Sequence, residues 1–296
     1  MAKTKNSITA NAPYERRAGR LVASGELPSA GRIVADALAA RNAPPGERTV
    51  AVLPLGATEQ HGPHLSPDTD WIIADAMAAR AATLADADTM VLPAERIGYS
   101  PEHLGWEATR TLGYGDAVER WCAIGGLLAH QGVWRLVLLN AHGGNAPLLA
   151  VAATEMRMRY SMLCVATSWT RHGDPAVLVG TPEKTHGIHA GLIETSVILA
   201  LRPDLVSMER AEAFGSLQQR HERERALLRA YGPHAHGWTM EDLNPDGATG
   251  DAASATAALG EALIADAVQG LARLIEEVAA FDPPWREPAP SDLAHS

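Results

Sequence analysis

Short, mainly apolar runs alternate with segments of helical spacing along this chain, and this alternation limits the folds open to it. Three such runs, at 49–55, 135–140 and 162–168, have the length of buried strands. Segments of helical spacing follow the first two, at 70–86 and 146–160. Strands that are buried on both faces and joined by helices form parallel sheets with helices on both sides. The sequence therefore predicts an α/β fold with a mainly parallel central sheet.

These segments predict a single catalytic domain over residues 29–282, because neither a repeat nor a linker interrupts them. Residues 1–28 are predicted to be a mobile N-terminal arm and residues 283–296 a disordered tail. The arm lacks the apolar region of a secretory signal, and no apolar run approaches the roughly 20 residues of a membrane span. A formal net charge of −10 disfavours a nucleic-acid surface. We therefore expect a cytoplasmic enzyme without nucleic-acid or membrane partners.

The segment LPLGATEQHGPHLSPDTD, directly behind the first strand, concentrates side chains that bind metals. They are Glu59, His61, His64, Asp68 and Asp70. Carboxylates and imidazoles without cysteine suit a divalent zinc, manganese or iron ion in an open site. Alternate residues of extended backbone face the same side, so Glu59 and His61 can reach one cavity and Asp70 can close it. The alternative is that these are surface loop residues and that Asp70 is only a helix cap.

A further candidate, His142, stands in the turn NAHGGN after the strand predicted at 135–140. Ligands of parallel sheets bind at the carboxyl ends of the strands, so His142 and the first motif are expected at one rim. The glycines let a ligand approach the backbone, and Asn140 and Asn145 can tie the turn by hydrogen bonds. Such turns also hold anions at helix N-termini, which leaves a phosphate-binding transferase as an alternative.

The segment THGIHAGLIETS adds His186, His189 and Glu194. Glu194 stands in an apolar stretch, where an unpaired carboxylate is costly, so we expect either a metal or an arginine beside it. His186 fits a substrate pocket or a solvated loop. His103 and Trp106, in a long predicted loop, fit the wall of a small-molecule pocket or packing beneath that loop.

Four motifs in one order resemble the creatininase family of metal-dependent amidohydrolases. They are LPLGATEQHGPHLSPDTD, NAHGGN, HAGLIETS and, near the C-terminus, GATGDAASATAALGEALIADAV. The resemblance runs from about Gly31 to Ala280. It implies a three-layer α/β/α domain, often assembled as a hexamer. It also implies two divalent metals, or one, and the hydrolysis of C–N bonds in small amides, including cyclic ones.

The family's ligand pattern, carried onto this sequence, assigns Glu59, Asp70 and His142 to one metal. His61 and Asp70 would hold the second, so that Asp70 bridges the two positions. The resemblance thus implies that the two histidine motifs, which are far apart in the chain, serve one centre.

Two departures from the pattern concern this centre and its substrate. Creatininase has a further carboxylate ligand two residues after the turn histidine, where this chain has Gly144, and Glu194 is the candidate to replace it. Creatininase also grips creatinine with a Trp-Asp pair, where this chain has Thr185 and His186, which disfavours creatinine as the substrate. Other relatives are a deformylase acting on a ribosylaminopyrimidine phosphate and a peptidase that trims a modified precursor peptide.

The expected reaction is hydrolysis of a small, non-peptide amide by a metal-activated water. His189 is the candidate proton donor to the leaving nitrogen, with Glu194 in the same catalytic segment. His103, Trp106 and Gly144 are candidates for the pocket. A peptidase or deformylase of the same family is an alternative, and so is a non-catalytic protein that binds a metal or a small molecule.

Overall fold

The computed structural model describes residues 19–286. The strands in this range are β1 (Arg20–Leu21), β2 (Val50–Leu55), β3 (Thr89–Val91), β4 (Arg110–Thr111), β5 (Arg135–Asn140), β6 (Leu163–Ser168), β7 (Ala213–Phe214) and β8 (Gly250–Asp251). The α-helices in it are α1 (Ala30–Ala39), α2 (Thr69–Leu84), α3 (Tyr114–His130), α4 (Ala146–Tyr160), α5 (Pro175–Val179), α6 (Thr181–His186), α7 (Leu192–Leu201), α8 (Leu217–Glu224), α9 (Met240–Leu243) and α10 (Ala257–Ala280). None of these helices is both long and apolar enough to cross a membrane.

Four parallel strands form the central sheet, in the order β3-β2-β5-β6. β2 pairs with β5 up to Leu55 opposite Asn140, so these two strands end at the same level. β6 ends at this level too, with Ser168 opposite Asn140. Because all four strands point the same way, helices must carry the chain back between them. The prediction of a mainly parallel sheet is confirmed.

Helices cover both faces of the sheet, and a hydrophobic cluster is buried beneath each layer. Successive side chains of a strand point to opposite faces, so Leu53 and Leu55 of β2 pack into one cluster and Val50 and Val52 into the other. Helices α1, α3 and α4 supply the first cluster, and α2, α7 and α10 supply the second. This arrangement is the three-layer α/β/α fold that the resemblance implies.

The sequence predicts loops at 94–115 and, from its Gly, Asp and Asn residues, at 237–256, but short elements lie in both stretches. The stretch 94–115 contains β4, and the stretch 237–256 contains α9 and β8. Elements of two to four residues are too short to show a hydrophobic period. β4 pairs with β1, so the predicted arm is corrected at its C-terminal end, where Arg20–Leu21 belongs to a small sheet. The rest of the arm, residues 1–18, and residues 287–296 of the predicted tail lie outside the described residues.

The carboxyl ends of β2 and β5 lead directly into candidate functional residues, Glu59 and His61 after β2 and His142 after β5. Gly56 follows β2, and a Cβ built on it would lie 2.4 Å from the backbone nitrogen of Trp71. Glycine is therefore required for the start of α2 to approach the end of β2 this closely. The approach brings Asp70, in the first turn of α2, to the rim formed by the strand ends.

Candidate metal centre

Asp70 lies between two histidines that come from different strand ends. Its Oδ1 is 3.1 Å from Nε2 of His61, and its Oδ2 is 3.2 Å from Nδ1 of His142. Glu59 approaches the same atom, with its Oε1 3.2 Å from Nδ1 of His142. All four residues are at most 3 % exposed. The fold thus brings together the four residues that the family's ligand pattern assigns to the metals.

Backbone carbonyls determine which nitrogen of each histidine faces the carboxylates. A carbonyl oxygen can only accept, so Nδ1 of His61 donates to the carbonyl of Glu59 at 3.0 Å. Nε2 of His142 likewise donates to the carbonyl of Tyr99 at 2.9 Å. The second nitrogen of each ring, which faces Asp70, is then available for a proton or a metal ion. Histidines oriented by such a hydrogen bond are typical of metal sites.

One oxygen of Asp70 supports the same interpretation. Its Oδ2 is buried and has no hydrogen-bond partner among the described residues. Its near neighbour is Nδ1 of His142 at 3.2 Å, and without a proton on that nitrogen the buried oxygen is costly unless a cation binds it. Donor atoms that share a zinc ion, each about 2.0–2.2 Å from it, lie roughly 3–3.5 Å apart. The distances around Asp70 match this spacing, and the residues therefore fit a divalent ion.

Glu194 completes a second group of donors on the His61 side of Asp70. Its Oε2 accepts a hydrogen bond from the backbone nitrogen of Ala190 at 2.6 Å and lies 4.0 Å from Nε2 of His61. His61, Asp70 and Glu194 can offer ligand atoms within 4.8 Å of one another. Within residues 19–286, the ion-pair partner of Glu194 is His61 and not an arginine. Glu194 therefore does not form the arginine ion pair that the sequence leaves as an alternative.

The charges of the cluster favour a cation at the histidines. Burial lowers the pKa of His61, but Asp70, Glu194 and Glu59 overcome this effect and raise it to about 9. Burial also opposes the charged form of His142, yet Glu59 and Asp70 hold its pKa well above the usual value. Burial raises the pKa of Glu194 to about 7, against the attraction of His61. Metal ligands must be deprotonated, so metal binding here competes with protons.

His189 lies over the cluster, with its ring centroid 4.3 Å from that of His61. Its Nε2 donates to the carbonyl of Gln60 at 2.8 Å, which leaves Nδ1 facing Oε1 of Glu59 at 3.7 Å. Burial, followed by the charge of His61, holds the pKa of His189 well below its usual value. His189 is thus a neutral imidazole whose free nitrogen is directed at the donor groups, as a proton relay requires.

The His142 turn is held in place by two asparagines. The amide nitrogen of Asn145 donates to the carbonyl of Gly56 at 3.1 Å, and its oxygen accepts from the backbone nitrogen of Tyr99 at 2.9 Å. Asn140 accepts from the backbone nitrogen of His142 at 3.2 Å and donates to its carbonyl at 2.6 Å. The sequence prediction that both side chains tie this turn is confirmed. Three loops at the rim are therefore fixed relative to one another.

The remaining candidates of the first motif lie beside the donor groups rather than among them. Nε2 of His64 is 2.9 Å from Oγ1 of Thr195, and its ring stacks on Phe214. Burial, followed by the charge of His61, lowers the pKa of His64 to about 4. Asp68 occupies the N-cap position of α2 without a capping hydrogen bond from its side chain. Neither residue belongs to the groups that can hold an ion.

A cavity of about 1230 Å³ opens over the donor groups. Its floor contains Glu59, Asp70, His142, His189 and Glu194, and its sides include His103 and Gly144. The lining also includes aromatic and cationic side chains, which are Trp169, Tyr231, Trp238, Arg171 and Lys184. The cavity is therefore both directly above the candidate centre and much larger than the centre itself.

The predicted pocket is corrected at Trp106 and His186, since neither is among the described residues that line this cavity. Trp106 packs against a small cluster that contains Met240 and Leu243, which is the alternative of packing beneath the loop. Nε2 of His186 pairs with Oε2 of Glu222 at 2.6 Å. The direction of a side chain in a loop depends on the path of the whole loop, which the spacing of these residues does not reveal.

Several contacts of Glu59 come from residues that the sequence analysis did not single out. Oγ of Ser100 donates to Oε2 of Glu59. The side-chain amide of Gln60 donates to Nδ1 of His103 at 3.0 Å, so that Nε2 of His103 faces Oε1 of Glu59 at 3.4 Å. Glu102 also borders the cavity. Its only signal in the sequence is that it directly precedes the candidate His103.

Comparisons with known proteins agree with this arrangement. The model of the family described as creatinine amidohydrolase matches residues 38–275 of the chain. A mycofactocin precursor peptide peptidase from Mycolicibacterium smegmatis is 32 % identical over 236 residues, which cover 77 % of this chain and 84 % of that protein.

Two solved structures are similar in fold and are described by their metals. A manganese form of creatininase has a TM-score of 0.67 at 25 % identity, and the match covers 88 % of this chain and 100 % of the other. A creatininase variant of a zinc–zinc type has a TM-score of 0.64 at 26 % identity, and the match covers 79 % and 92 % of the two chains. These relatives and the donor groups together support a divalent metal in this chain.

Proposed function

Because the chain belongs to the creatininase family, we propose that it is a metal-dependent hydrolase of amide C–N bonds. The observation that carries the proposal is the convergence of His61, His142 and Asp70, whose donor atoms face one another rather than basic side chains. A phosphate site would instead need positive charge or free backbone N–H groups directed at the ligand. The donor groups therefore support ion binding better than they support a transferase.

We assign two ion positions to the donor groups and keep His189, which also groups with Glu59 and His61, for proton transfer. Glu59, His142 and Asp70 would hold one ion, and His61, Asp70 and Glu194 the other. Zinc, manganese and iron all accept this mixture of oxygen and imidazole ligands. A divalent ion at such a site supplies an acidified water and polarises the amide carbonyl.

His189 would move the proton between the attacking water and the leaving nitrogen. Because its ring is neutral, Nδ1 first accepts a proton from the water and then passes it to the leaving group. This order refines the expectation of a simple proton donor. Glu59, 3.7 Å from Nδ1, would stabilise the charged ring between the two steps. The hydrogen bond from Nε2 to Gln60 keeps the ring in this orientation.

The cavity favours a substrate larger than the small amide expected from the sequence. Its volume of about 1230 Å³ and its wall of Trp169, Tyr231 and Trp238 suit an extended chain with apolar side groups. Arg171 also lines the cavity and suits a carboxylate, whereas Lys184 is paired with Asp174 at 3.7 Å. A short peptide is therefore the substrate class that we favour. The name of the Mycolicibacterium smegmatis relative, a peptidase, supports this choice.

The description of the family favours a cyclic amide as the second candidate substrate. Creatinine itself stays disfavoured. Oγ1 of Thr185 donates to the carbonyl of Thr181 in its own helix, and His186 is paired with Glu222. Neither side chain is thus available to grip a ring over the donor groups.

The decisive experiment is a substrate screen with defined metal content. The protein is treated with chelator, reloaded with zinc, manganese or iron, and assayed on short peptides, formamides and cyclic amides. We expect turnover only after reloading, with peptides hydrolysed faster than cyclic amides. Metal binding without turnover of any compound would support the non-catalytic binding protein. Nucleotide or sugar-phosphate binding that persists in chelator would support the transferase.

The homo-oligomer, a hexamer in the resemblance, and the cytoplasmic location stay predictions. Light scattering of the purified protein would measure the number of subunits.

A further inference from the structure

Position 144 has no side chain, and a carboxylate from another loop occupies the space beside it. A Cβ built on Gly144 would lie 2.5 Å from Oε1 of Glu102, 2.4 Å from Nε2 of His142 and 2.4 Å from the carbonyl oxygen of Tyr99. Separations below 3.0 Å require a neighbour to shift. Glu102 in its present position and a side chain at 144 therefore exclude each other.

Glu102 reaches the centre from the short turn Pro101–His103, outside the central sheet. Its Oε1 is 3.6 Å from Nε2 of His142, and its side chain is only 15 % exposed. Throughout residues 19–286, the ion pair of this carboxylate is with His142, and no lysine or arginine pairs with it. When His142 gives up its proton to bind an ion, it no longer offsets the desolvation of this carboxylate, so the ion itself must do so.

Glu102 and Glu194 belong to opposite sides of Asp70. Glu102 groups with Glu59 and His142, whereas Glu194 groups with His61 and Asp70, in each case with ligand atoms within 4.8 Å of one another. Glu194 was expected to replace the carboxylate missing at 144. The grouping instead gives each side of the centre a carboxylate of its own.

We infer that Glu102 is a metal ligand, which supplies to the ion held by Glu59 and His142 the carboxylate that the turn lacks at Gly144. Gly144 is then required because it leaves room for Glu102 beside His142 and the carbonyl of Tyr99. The inference rests on the proposed metal-dependent function, but it concerns ion binding and not turnover. The assignment of Glu102 as a ligand and the proposed hydrolase function can therefore fail separately.

The first test removes the charge of Glu102 and keeps its shape. Manganese or zinc titration of the Glu102→Gln protein should show one ion bound at least about 10-fold more weakly, since changes near metal ligands typically cost this much. Glu107→Gln is the matched control, because Glu107 is exposed in the same loop and carries the same charge. Wild-type affinity for every ion in Glu102→Gln would overturn the inference.

Glu194→Gln tests whether the two carboxylates serve different ions. It should weaken one ion, and the Glu102→Gln/Glu194→Gln double variant should weaken both. Loss of the same single ion in both single variants would show that the carboxylates share one position, which contradicts the inference.

Gly144→Ala tests the exclusion between position 144 and Glu102. The added methyl group should displace Glu102 and weaken the same ion as Glu102→Gln. Combining the two changes should weaken that ion no further, and additive losses would contradict the inference. Thermal unfolding in chelator verifies that Gly144→Ala is folded, and if it is not, the Glu102→Gln titration decides alone. Ion binding that depends on Glu102 in a protein without amide hydrolysis would retain the metal assignment and reject the proposed function.

Discussion

At the scale of single residues, the candidate centre depends on which atom of each side chain is already engaged. His61, His142 and His189 each give one nitrogen to a backbone carbonyl, so the other nitrogen has a fixed direction. A carbonyl oxygen can only accept a hydrogen bond, so the ring nitrogen that faces it carries a proton. The backbone path therefore determines these tautomers, independently of the charges of the site. Substitutions of the donor atoms should therefore alter ion binding without reorganising the rim.

Asp70→Asn should lose most of the bound metal. The change keeps the size of the side chain but removes the negative charge between His61 and His142, which both ion positions share. Elemental analysis after dialysis measures the metal content. Asp68→Asn is the control, because it makes the same charge change two residues away and outside the donor groups. Unchanged metal content in Asp70→Asn would contradict a shared ligand.

His189→Ala should keep its metal and lower kcat by roughly 10²–10⁴-fold, the usual contribution of general acid–base catalysis. The loss should be smaller for substrates with better leaving nitrogens, since these need less protonation. His64→Ala should keep its metal as well, because His64 binds Thr195 and lies outside the donor groups. Metal loss in His189→Ala, or an equal slowing of every leaving group, would show that His189 has another role.

At the scale of elements, the sequence predicts strands and helices, because their apolar residues recur at regular spacing. It does not predict where loop side chains point, because loops have no such spacing. The strand Arg135–Asn140 lies where its apolar run places it, and His142 follows at the rim because strand direction fixes that edge. Glu102, by contrast, stands in a loop without periodicity, and its reach to the centre depends on Gly144. Trp106, in the same loop, turns away from the cavity. Loop side chains are determined by contacts between segments far apart in the chain, which local patterns do not contain.

Arg135, at the start of β5, binds the C-terminal end of α10 and the chain that follows it. Its guanidinium donates to the carbonyls of Val278 and Phe281 at 3.0 and 3.1 Å and to that of Glu47 at 2.7 Å. Arg135→Lys should destabilise the fold by about 2–4 kcal/mol, because hydrogen bonds from charged donors contribute ~1.5–3 kcal/mol each and lysine recovers one. Denaturant unfolding measures this loss.

Arg48→Lys is the control for Arg135→Lys. Arg48 also donates to carbonyls at the end of α10, but its side chain is 56 % exposed. Exposed partners are compensated by water, so this change should have little effect. Equal losses in the two variants would mean that burial is not what makes the Arg135 contacts important.

At the scale of the whole molecule, the centre links stability to pH. In chelator, the protein should become less stable between about pH 6 and 9. His61 has a pKa of about 9 in the fold against 6.5 ordinarily, so its contribution is complete below pH 6.5 and is lost as the pH rises through 9. Glu194 acts in the same direction, because its pKa of about 7 exceeds the ordinary 4.5 and its ionisation opposes folding. The His61 shift corresponds to about 3 kcal/mol.

Thermal unfolding in chelator at pH 6 and pH 9 measures this linkage, and the Tm at pH 9 should be several degrees lower. His61→Gln should flatten the trend, since its side chain does not titrate. Added metal should raise the Tm more at pH 9 than at pH 6, because ions then compete with fewer protons. Equal Tm values for the wild-type protein in chelator at the two pH values would contradict the linkage.

The donor groups are spread along the chain from Glu59 to Glu194, and they meet because β2 and β5 end at one level and the starts of α2 and α7 reach that rim. Each crossover between these strands is a long loop that must close before the groups can meet. An ion held by Glu59, His142 and Asp70 would act as a cross-link, opposing the separation of β2, β5 and α2 much as a disulfide opposes the separation of its cysteines. Fraying of one loop would not free such an ion. The ion would instead oppose the opening of the sheet, so unfolding in denaturant should be slower with bound metal than in chelator.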